Sequence, residues 1–98
     1  RVYHVFRDND HLAESISFCL NQLGNDAFIK RNYQQSKLYF EELINNENNN
    51  WRHFYNYANV LQANNEIIAA INHYLTAQSK GGGDDEDLYN NLACCHSL

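Results

Sequence analysis

Residues 23–43 read LGNDAFIKRNYQQSKLYFEEL, and residues 57–77 read YANVLQANNEIIAAINHYLTA. Laid over each other, the two stretches are offset by 34 positions. Gly24 then meets Ala58, Tyr33 meets Ile67, Ser36 meets Ala70, Phe40 meets Tyr74 and Leu43 meets Ala77. Small, bulky and apolar positions therefore recur in register, the mark of an internal structural repeat. A third partial copy follows at Asn91-Leu92-Ala93, where Ala93 lies 35 positions after Ala58. The extra residue is assigned to the glycine-rich loop of residues 81–84.

Within each copy the apolar spacing is helical. Ile16, Leu20, Leu23 and Ala27 step by 4, 3 and 4, one face of a 3.6-residue period. Lys30-Arg31-Asn32 breaks the pattern. Tyr33, Leu38, Phe40, Leu43 and Ile44 then form a second stripe, and Asn32 with Gln35 has capping-box spacing. The amide-rich residues 45–50 carry no period and read as a turn. Another helical run spans 51–63, Asn64-Asn65 breaks it, and a further run follows. The spacing predicts five helices, at about 10–30, 33–45, 51–63, 66–79 and 85–98. Short connections make neighbours antiparallel, so the expected class is all-α, with helix hairpins stacked in a row. Residues 1–9 are expected as an N-terminal lead-in, either an extended tail or the start of a helix.

Composition excludes several classes of function. Twelve Asp and Glu against seven Lys and Arg give 98 residues a formal charge of −5. Nucleic acid is excluded as a partner, because phosphate binding needs a basic patch. No apolar run reaches the length of a membrane span, and no signal peptide is expected. Three cysteines without a framework pattern point to a reducing compartment, hence a cytoplasmic location. The absence of Met suggests a processed or excised chain, and the absence of Pro leaves long helices uninterrupted. Sixteen Asn and five Gln outnumber the charged side chains. Asn favours helix ends and turns, so those inside helices need another reason.

A 34-residue helix–turn–helix period with Gly24 and Ala58, Ser36 and Ala70, and Phe40 and Tyr74 at its seams resembles the tetratricopeptide repeat. The run Leu23 to Phe28, followed by Asn32-Tyr33, is similar to repeats of chaperone adaptors. Departures are Leu20 and Phe54 where the family carries Trp, Leu43 where it carries Ala, and Asn48 where it often carries Pro. The resemblance implies a right-handed α-solenoid of two repeats, residues 17–50 and 51–84, plus the first helix of a third, residues 85–98. It also implies that further repeats or another chain cover the C-terminal end.

In that family the first helix of each repeat lines a concave face. Carried over, the face offers Phe18, Asn21, Gln22, Asn25, Phe28 and Ile29 from the first repeat. The second offers Arg52, Tyr55, Asn56, Asn59, Gln62 and Ala63. The third offers Asp87, Asn90, Asn91, Cys94, Ser97 and Leu98. A carboxamide both donates and accepts, so this amide-rich face is expected to pair with the backbone of an extended peptide. Asn25, Asn56, Asn59 and Asn91 would hold it, with Phe28 and Tyr55 as apolar contacts. Genome-wide Asn bias is the competing explanation. The alternative function is a scaffold segment within a multiprotein assembly. A third reading is the carboxylate clamp that grips an acidic chaperone tail. Asn25 and Asn56 fit it, but Asn21, Asp87 and Asn91 stand where the family has cations.

Other candidates read as structural. Cys94 and Cys95 are adjacent and point about 100° apart on a helix, so with His96 they make no metal site. Cys95 is expected in the core, and so is Cys19. His4, His11, His53 and His73 are expected at the surface or in caps, and Glu41, Glu42 and Glu47 on a solvated face. The acidic residues 84–87 suit a helix N-terminus and lack calcium-loop spacing. No catalytic set assembles, so no enzyme activity and no cofactor are expected.

Overall fold

The computed structural model describes the backbone of residues 2–96 and the side chains of residues 14–95. It is all-helical over that span. The helices are α1 (Val2–Ile29), α2 (Tyr33–Asn46), α3 (Trp51–Ala63), α4 (Ile67–Ala77) and α5 (Glu86–His96), with a π-helical turn at Gln78–Gly82 after α4. The first pairs with the second and the third with the fourth; α2 then packs on α3, and α5 on both α4 and α3. No helix among the described residues is long and apolar enough to cross a membrane.

Chain reversals inside the two hairpins are copies of each other. Arg31 and Asn65, 34 residues apart, both have positive φ, at 62° and 66°. The Asn32 N–H donates to Ala27 O at 2.8 Å, and the Glu66 N–H donates to Leu61 O at 2.8 Å. A second pair runs from Arg31 N–H to Phe28 O and from Asn65 N–H to Gln62 O, both at 3.0 Å. Each set closes a helix end by the six-to-one and five-to-two bonds of a Schellman motif. Helices α2 and α4 start 34 residues apart, at Tyr33 and Ile67. By contrast α3 and α5 start 35 apart, at Trp51 and Glu86. The additional residue is absorbed where the sequence places it, at the π-helical turn, in which Gly81 takes φ 126°.

Small residues let the paired helices approach. A Cβ on Gly24 would lie 2.8 Å from Phe40 Cζ, closer than carbon atoms can sit, and the Ser36 hydroxyl donates to Gly24 O at 2.8 Å. In the second hairpin Ala58, Ala70 and Tyr74 are all fully buried. Phe40, Leu43, Val60, Ala77 and Leu88 complete the centre of one continuous core. Cys95 and Leu92 bring α5 into it.

Several expectations are corrected. The first helix begins at Val2, so residues 2–9 are helical and not an extended tail. Its buried seam is Ser17, Leu20, Gly24 and Ala27, while Ile16 and Leu23 are exposed. The close approach at Gly24 selects that stripe, and Ser17 enters it because Asn46 donates to its hydroxyl at 2.8 Å. Leu38 is exposed. Asn32 makes no side-chain cap bond, whereas Asn50 accepts from the Arg52 N–H and Asp85 from the Leu88 N–H. Cys19 is exposed. It lies on the α1 face opposite α2, the register that His53 and Leu88 bury two and four helices on. Ser97, Leu98 and the side chains of His4 and His11 lie outside the described residues.

Candidate functional site

A seam of amides joins the odd-numbered helices. Asn56 Nδ2 points at Asn21 Oδ1 across 3.5 Å, linking α3 to α1. One helix further, Asn91 Nδ2 donates to Tyr55 Oη at 3.2 Å and to Asn59 Oδ1 at 3.1 Å, linking α5 to α3. The Asn59 oxygen is also bonded to the Tyr74 hydroxyl, which reaches Gln62 Oε1 at 2.9 Å as well. Asn59 and Asn91 thus spend part of their hydrogen-bonding capacity between helices. Burial holds the Tyr74 hydroxyl protonated far above its ordinary range, which keeps it a donor to these two amides. Tyr57 is held the same way, first by burial and then by Glu41, to which it donates at 2.6 Å.

Below this seam, α1 and α3 diverge around a cleft of about 310 Å³. Four residues of the expected face line it: Phe18, Asn21, Arg52 and Asn56. Phe18 is 64 % exposed, a large apolar surface beside polar walls. Successive turns of α1 supply Glu14, Phe18 and Asn21, because residues three and four apart share a helix face. The Asn50 cap sets the first turn of α3, from which Arg52 and Asn56 project. The Arg52 guanidinium sits 4.9 Å from the centre of the Trp51 ring, a cation–π placement at the rim.

The remaining expected residues lie apart from the cleft. Asn25 and Phe28 are half-buried further along α1, and the Phe28 ring packs on Tyr33 at 5.8 Å. Tyr55 is half-buried between Trp51 and Tyr74. Gln22 and Asn90 are exposed.

Glu14, Ser17, Glu47, Asn50 and His53 also line the cleft and were not among the expected site residues. His53 is buried, 7 % exposed, rather than a surface or cap residue. Its Nε2 lies 2.6 Å from Glu47 Oε1, and its Nδ1 has no hydrogen-bond partner. His73 is half-buried as well, edge-on to Tyr57 with ring centres 4.7 Å apart. For Glu14 and Ser17 a sequence signal existed, their one-turn spacing from Phe18 and Asn21. For Glu47 and His53 none did, since a turn brings them together. No protein-family model matches the chain, and no curated protein sequence matches it.

Proposed function

We propose that this chain is a protein-interaction module of tetratricopeptide type, with its hairpins stacked as a right-handed solenoid. It holds an extended partner segment along the first helices, over the α1–α3 cleft. The observation that carries this reading is the convergence of Phe18, Asn21, Arg52 and Asn56 from two helices on one open cleft. An apolar anchor beside amides and a cation is the composition of a peptide site. An acidic chaperone tail suits the face poorly. Arg52 is its only carried-over cation, and two carboxylates need more positive charge than that.

Capture from native extract tests the reading, with the folded domain and the Asn21→Ala/Asn56→Ala double variant side by side. Partners lost with the variant support groove binding. Partners shared by both sink it.

One observation favours a scaffold role instead. The Tyr74–Asn59–Asn91 network commits amides to holding helices together, and Tyr89 leaves a 63 % exposed ring on the outer side of α5. Under that reading Tyr89→Lys abolishes assembly while the cleft variants do not.

A further inference from the structure

We propose that the α1–α3 cleft accepts a basic side chain, arginine or lysine, from the bound segment. This rests on the peptide-binding reading above and specifies its ligand. The cleft is rich in acceptors. Glu14 on α1 is exposed, and Glu47 stands in the α2–α3 turn with its side chain 45 % exposed. A carboxylate only accepts, so the His53 Nε2–H donates to Glu47 Oε1 at 2.6 Å. That bond fixes the Glu47 carboxylate against a buried ring instead of leaving it to sweep through solvent.

It also fixes the tautomer of the neutral ring. Nδ1 is then a bare lone pair on a side chain more than nine-tenths buried, lining the cleft with no donor to meet it. The donors nearby are already engaged. Asn56 Nδ2 faces Asn21, and Arg52, the one cation in the lining, is drawn to the Trp51 ring. Two carboxylates and an unmet ring nitrogen against one tethered guanidinium leave the cleft short of donors and negative on balance. A guanidinium or ammonium brings several N–H donors and the missing charge, and its aliphatic stem can lie on Phe18. The formal charge of −5 on the chain draws a basic segment toward it.

The test uses a degenerate library of N-acetylated, C-amidated peptides, which carry no terminal charge, and the full chain. The expected result is enrichment of Arg or Lys at one fixed position. Replacing that residue by norleucine should weaken binding about tenfold or more, the scale of a charge-assisted bond. The same replacement should cost little with Glu14→Gln/Glu47→Gln, both exposed positions whose amides keep the shape. Arg52→Gln should tighten the basic peptide. If peptides bind through Asn21 and Asn56 with no basic preference, or with an acidic one, the basic pocket is wrong and the peptide site stands. If no library peptide binds, both fall. Should the double glutamine variant fail to fold, the norleucine replacement on the unaltered chain still decides.

Discussion

The two hairpins share a frame and differ by one hydroxyl. In the first, α1 and α2 close over Gly24, Ser36 and Phe40. In the second, α3 and α4 close over Ala58, Ala70 and Tyr74, each 34 residues on. Both aromatic rings are fully buried. Phe40 ends in carbon, whereas Tyr74 ends in an oxygen that bonds to Asn59 and Gln62, and Asn59 in turn bonds to Asn91. Asn25 is the counterpart of Asn59, and its ring partner offers it no donor. The same amide at the same register is thus a helix-to-helix tie in one repeat and a half-buried surface group in the other. Residue type alone does not assign such an amide to ligand or to structure; the tip of the facing aromatic does.

The largest effect expected is from removing either ring. Phe40→Ala and Tyr74→Ala should each cost about 3–5 kcal/mol in urea unfolding. A much smaller loss for Phe40 would mean that the first hairpin is not part of the cooperative core. Next comes Gly24→Val, which forces side-chain atoms into the Phe40 ring and should cost about 1–3 kcal/mol.

Tyr74→Phe makes the second hairpin resemble the first. It should cost about 1–2 kcal/mol and speed hydrogen exchange in α5, while Asn25→Ala leaves α5 exchange unchanged. The same hydroxyls predict an alkaline limb. Burial raises the Tyr57 and Tyr74 pKa in the folded chain, so folding holds their protons more tightly than the unfolded chain does. Their contribution is complete below the ordinary tyrosine pKa of about 10 and is lost as pH rises above it. Melting temperature measured from neutral to alkaline pH should fall above that point, less steeply in Tyr74→Phe.

The smallest effect is stabilising. Arg31 holds a left-handed conformation that glycine accepts more readily, so Arg31→Gly should gain about 0.5–1 kcal/mol. Asn65→Gly should gain less, because Asn tolerates that region better. Equal gains would show that the two reversals do not differ in strain.

Local features were legible in the sequence, and contacts between distant helices were not. The 34-residue register, the break at Asn64-Asn65 and the extra residue after α4 all follow from small residues and turn formers on a single strand of text. The choice between adjacent helical stripes does not. Ile16 and Leu23 look like the seam on hydrophobicity, yet Gly24 wins because it lets Phe40 come close. Phe18, Asn21, Arg52 and Asn56 were placed on one face by the resemblance. Glu47 and His53 were hidden, since six residues and a turn separate them, and no periodicity reports where a turn delivers a carboxylate. The Tyr74 bond to Asn59 was equally hidden, because side chains on separate helices had to meet first.

The π-helical turn has a practical consequence. A Cβ on Gly82 would stand 2.7 Å from Trp51 and 2.9 Å from Leu88, so the indole is wedged where α4 hands over to α5. Trp51 is the only tryptophan of the chain. Its fluorescence is therefore a built-in gauge of whether the last helix is seated, readable without any label. Denaturant titrations followed at that emission and by far-ultraviolet circular dichroism would separate undocking of α5 from melting of the whole.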